Sequence, residues 1–172
     1  MRKTSGWITL CSALIISTLA SAQATRKAGL WEMTSTMTWQ KSPMPAGVSM
    51  PTGGNSPFGG GPHTTQVCLT QAMIDKYGAP PPQTRNNQCS VSNVVMKSDG
   101  MTADWICSGT MEGKGKVEAS WTDSDHAKSK VHFIGSMQMG PNATPIEYTI
   151  ESSSVFKGSD CGSVRPMQMP EK

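Results

Sequence analysis

The sequence has little charge and few aromatic residues. Only 16% of its 172 residues are charged, 6% are aromatic, and the net charge is +3. Soluble domains usually carry about 25% charged residues, and a disordered polyelectrolyte carries more, so that class is excluded. A charge of +3 gives no reason to expect a nucleic-acid partner. Long apolar runs are missing except near the start, which excludes a multi-pass membrane protein. The signatures G-x-S-x-G, H-E-x-x-H and the phosphate loop are absent, and no C-x-x-C pair offers a zinc ligand set. No repeat and no domain boundary is visible, so the chain reads as one domain behind a leader.

That leader is residues 1–22. Arg2 and Lys3 give a positive start, Gly6 to Leu19 is largely apolar, and Ala20-Ser21-Ala22 is a small-x-small cleavage site. The run is short for a membrane span and ends in small residues, so a cleaved signal peptide is expected and no transmembrane segment after it. Leu10 before Cys11 is too large for a lipid-attachment site, so Cys11 leaves with the leader. Cleavage after Ala22 leaves residues 23–172. It removes two of 15 basic residues and one of five cysteines, which leaves four cysteines and a net charge of +1. A periplasmic location follows as the expectation.

Cys68, Cys89, Cys107 and Cys161 remain. An even set in an exported chain, with gaps too wide for zinc, reads as two disulfides. Four cysteines allow three connectivities. Cys68–Cys89 with Cys107–Cys161 is favoured, the first closing the helical segment and a Pro-rich loop, the second tying the tail to the sheet. Cys89–Cys107 stays open, because both fall on strands of one predicted hairpin.

Hydrophobic alternation supplies the rest. Trp31, Met33, Met37 and Trp39 share one face of a strand over 30–40, with Glu32, Thr34, Thr36 and Thr38 opposite. Residues 41–62 are dense in Pro, Gly and Ser and read as a long loop. A strand over 64–69 leads to Thr70 as N-cap, a helix over 71–77 and Gly78 as its stop. Strands follow over 89–97 and 101–108, joined by Ser98-Asp99-Gly100, and then over 114–122, 128–139 and 145–156. Residues 163–172 form a tail. The expected fold is all-β: an antiparallel meander forming a strongly curled sheet or small barrel, with one short helix and a long Gly/Pro-rich loop.

Several short motifs in this order resemble a known family. Gly29-Leu30-Trp31-Glu32 follows the leader, Cys68-Leu69-Thr70 opens the helix, a later Cys follows a Pro-rich loop, and Asp160-Cys161-Gly162 stands near the end. The chain resembles the bacterial domain-of-unknown-function family 3617 from about Lys27 to Gly162. The resemblance implies an exported, mainly β protein with paired cysteines. It implies no activity and no catalytic residues.

Candidate sites are few. His63, His126 and His132 sit in no catalytic motif, and a surface role is expected for each, so no enzyme activity and no cofactor are expected. Trp31, Trp39, Trp105 and Trp121 fall on apolar faces, where they fill a core or line a pocket for a small apolar ligand. Met137 with Met139 and Met167 with Met169 are M-x-M pairs. Thioethers suit Cu(I), but M-x-M in a strand also builds a core. Asp123-Ser124-Asp125 offers oxygens to Ca²⁺, although turns favour Asp anyway. The expected role is non-enzymatic binding or interaction in the periplasm, with an unidentified protein or a small apolar ligand as partner. A carrier of an apolar ligand and a Met-based Cu(I) binder are the alternatives.

Overall fold

Alternation of apolar and polar residues runs through almost every strand segment, and the strands assemble accordingly. The computed structural model describes residues 26–44, 61–78, 88–139 and 141–167. The expected signal peptide, most of the loop 41–62, the triple-proline stretch and Met169 lie outside the described residues. Seven strands and one helix form: β1 (Gly29–Lys41), β2 (His63–Leu69), α1 (Gln71–Tyr77), β3 (Cys89–Lys97), β4 (Gly100–Cys107), β5 (Met111–Trp121), β6 (His126–Met139) and β7 (Asn142–Gly158).

They make one antiparallel sheet in the order β2-β1-β7-β6-β5-β4-β3. The meander is real from β3 to β7, and the β1–β2 hairpin adds to its far side through β1–β7 pairing. The expected barrel or strong curl does not form. The sheet is open, with β2 and β3 as its two edges. Each edge is blunted locally, which removes the need for closure. On β2, the tail adds a bridge between Pro166 and Cys68, and the Met167 N–H donates to the Cys68 carbonyl at 3.1 Å. On β3, a bulge between Ser92 and Val95 breaks the ladder, with Asn93 at φ 51°.

That bulge also decides a disulfide. Unbroken pairing outward from Lys97↔Gly100 would set Cys89 against Ser108. The extra residue slides the register by one and brings Cys89 opposite Cys107. The disulfides are Cys89–Cys107 and Cys68–Cys161, with Cα–Cα distances of 4.0 Å and 5.6 Å. The favoured pairing of Cys68 with Cys89 and Cys107 with Cys161 is therefore wrong. Cys68 and Cys89 stand on opposite edges of the sheet, too far apart to join, while the tail returns to the β2 edge.

The helix is capped as its sequence predicts. The Thr70 hydroxyl accepts from the Met73 N–H at 3.3 Å, and Gly78 adopts the left-handed conformation (φ 62°), donating to the Ile74 carbonyl at 2.8 Å. The connection holding α1 joins the two edge strands, so it must cross the sheet. It does so on the apolar face. Ile74 packs with Trp31 and Leu69, and Tyr77 joins the main core of β4 to β7. The Ser98-Asp99-Gly100 hairpin forms, but Gly100 serves it through space: a Cβ there would run into the Ala119 carbonyl oxygen on β5.

Candidate functional site

The two faces of the sheet differ completely in chemistry. The outer face carries ion pairs of Lys116 with Asp104, Lys130 with Glu151 at 3.4 Å and Lys157 with Glu32 at 3.4 Å, and His132 Nε2 lies at hydrogen-bond distance, 3.1 Å, from the Glu147 carboxylate. The Asn93 amide and then Lys116 hold the Asp104 carboxyl below its usual range. A shallow hollow of 420 Å³ opens here between Asp104, Ile106, Lys116, His132 and Ile134. Asp104 and Lys116 pair across it, which is how a solvated face behaves. At the β5–β6 turn, the Asp123 carboxylate accepts from the Asp125 and His126 N–H groups at 2.7 Å and 2.8 Å. These are the bonds of a turn aspartate.

The apolar face is built differently. Strand register places Trp39, Tyr148, Phe133, Gly115 and Trp105 in one row across β1, β7, β6, β5 and β4. Trp39 meets Tyr148 edge-on with ring centroids 5.2 Å apart. Tyr148 stacks on Phe133 at 5.2 Å, and Phe133 meets Trp105 edge-on at 5.5 Å. Phe133 can reach Trp105 across a strand because Gly115 stands between them; a Cβ there would lie 3.3 Å from the Phe133 ring. Each such ring pair contributes about 0.5–1.5 kcal/mol beyond burial.

Burial varies along the row and its neighbours. Phe133, Tyr148 and Trp105 are buried; Trp39, Met37 and Ile150 are half-buried. Burial pushes the Tyr148 phenol well above its ordinary pKa, and its hydroxyl donates to the Met111 sulfur at 3.6 Å. Within the row, one buried polar atom has no partner among the described residues: the Trp105 indole Nε1. A dry donor without an acceptor costs about 1–3 kcal/mol, so its persistence needs an explanation.

The tryptophans expected as ligand contacts do not form one group. Trp39 and Trp105 lie in the row. Trp121 is buried at the α1 end, its Nε1 donating to the Ser98 carbonyl at 3.2 Å. Trp31 belongs to a separate small cluster with Leu69, Ile74, Phe156 and Met167, and donates to the Lys27 carbonyl at 2.9 Å. The methionines are similarly divided. Met137 packs half-buried against the main core and faces Met111 across β5–β6, Met139 is exposed at the strand end, and Met167 packs beside Trp31.

Sequence reasoning missed Arg26, read only as part of a polar lead-in. It is 3% exposed. Its guanidinium lies 4.3 Å from the Trp31 ring centroid, and its Nη1 donates to the Gly78 carbonyl at 2.6 Å. Burial lowers its pKa to about 10, so it stays charged at neutral pH. Nothing local in the sequence marks it, because its partners are a helix cap 52 residues away and the first core tryptophan.

Residues 26–161 match the family described as Protein of unknown function (DUF3617). The chain belongs to this family. The match begins at Arg26 and ends at Cys161, so it spans all seven strands and both disulfides. No curated protein and no solved structure matches the chain.

Proposed function

We propose that this member of the DUF3617 family is an exported, non-enzymatic binding domain that holds a small apolar molecule against its aromatic row. One observation carries the reading. The row contains a buried indole N–H, on Trp105, that has no acceptor among the described residues. A small, mostly apolar ligand bearing one acceptor oxygen would satisfy it. Among the described residues, helix α1 packs at the other end of the sheet, beside Trp31 and Trp121.

Two further features support export and binding over catalysis. Disulfides persist in oxidising compartments, and no described helix is long and apolar enough to cross a membrane. His126 and His132 each bond a carboxylate, and neither bonds a hydroxyl or a thiol that it could activate. All four described cysteines are spent in disulfides.

Titration with the fluorescent probe N-phenyl-1-naphthylamine tests the reading. The wild-type protein should give a saturable fluorescence gain, and Trp39→Ala should weaken binding by about tenfold, the loss of one aromatic contact. No saturable gain, or equal affinity in the variant, would remove the row as the binding surface.

A further inference from the structure

Arg26 is a buried charge with half of its hydrogen-bonding capacity unused. Its Nη1 is anchored on the Gly78 carbonyl and its face rests on Trp31, but Nε and Nη2 have no partner. Those two nitrogens share one edge of the planar guanidinium. Their N–H bonds run parallel, at the spacing that matches two oxygens of one carboxylate. Of the 12 Asp and Glu residues, all but Glu171 are described, and no described one pairs with Arg26. An ionised group this buried and unpaired costs several kcal/mol, a cost that an anion on the free edge would offset.

We propose that the Nε/Nη2 edge of Arg26 is a carboxylate-binding site. Its fixed parts are already present. The Gly78 carbonyl sets the orientation from the opposite side, and the Trp31 ring supports the plane and excludes water. A carboxylate fits better than a phosphate. It neutralises the single positive charge without leaving excess negative charge in a dry setting beside a helix C-terminal carbonyl. The site is distinct from the aromatic row. Trp31 and Trp39 are eight residues apart on β1, about 27 Å at ~3.4 Å per residue.

Sodium octanoate is the probe, added to ¹⁵N-labelled protein in buffer free of other carboxylates. The Arg26 Nε–H resonance, identified by its loss in Arg26→Lys, should shift downfield and saturate. Neutral 1-octanol, of the same chain length, should leave it unmoved. Arg26→Lys keeps the charge but not the paired edge, and octanoate affinity should fall by at least about tenfold. An Nε–H resonance that octanoate leaves unmoved would overturn the proposal. So would equal binding of octanoate by wild type and Arg26→Lys. Binding of octanol and octanoate alike, with Arg26 unmoved, would instead point to the aromatic row and leave that reading standing.

Discussion

Phe133 shows how the apolar face is fitted together residue by residue. It is fully buried, and its ring lies over three glycines, Gly113, Gly115 and Gly135, on its own and the neighbouring strand. A side chain at any of them would take the space that lets the ring bridge Tyr148 and Trp105. Gly135 is the tightest: a Cβ there would run into the Glu112 carbonyl oxygen and come within 2.9 Å of the Phe133 ring. Gly135→Ala should therefore destabilise the protein by about 1–3 kcal/mol, as overpacking does, measured by urea unfolding. A variant as stable as wild type would mean that the strands part without cost. The alternation that put Phe133 and Tyr148 on the apolar side was plain in the sequence. The role of the glycines was not, because it depends on which residue stands opposite on the next strand. The same holds for Arg26, whose burial is set by a cap 52 residues away.

At the scale of elements, the sequence was most informative where the signals are local. Helix α1, its Thr70 cap and its Gly78 stop depend on neighbours within four residues, and all three formed as expected. The strands formed within three residues of their expected ends for the same reason. The disulfides were misassigned because their pairing depends on one bulge and on the path of the tail. Neither has a local signature, since the bulge at Ser92–Val95 changes which residue faces Cys89 by a single step. The two bridges close chain separations of 93 and 18 residues. Chain entropy then predicts unequal effects: about 4–5 kcal/mol for Cys68–Cys161 and about 3 kcal/mol for Cys89–Cys107. Paired alanine variants, compared by urea unfolding under oxidising conditions, should lose stability in that order. The reverse order would show that the tail strap contributes little to holding the β2 edge.

Across the whole molecule, the sheet divides its labour between two faces. Exposed ion pairs on one side contribute little energy each. The other side buries a continuous core of β4 to β7, with Trp39 packed half-buried against it. A barrel would have hidden both edges and enclosed that face. The open sheet instead has a tail and a bulge at its edges, and its apolar face extends beyond what α1 covers. Fold class and strand order from β3 to β7 were legible from alternation and turn residues. Closure was not, because it rests on how two edge strands distant in sequence meet, and no pattern within a strand encodes that. The Trp105 indole N–H, buried without an acceptor among the described residues, makes small-molecule binding the central claim. Native mass spectrometry of the protein recovered from its native host cells tests it most directly. We expect a population carrying one small-molecule adduct, which is lost in Trp39→Ala. A clean mass of the polypeptide alone, identical in wild type and variant, would contradict it.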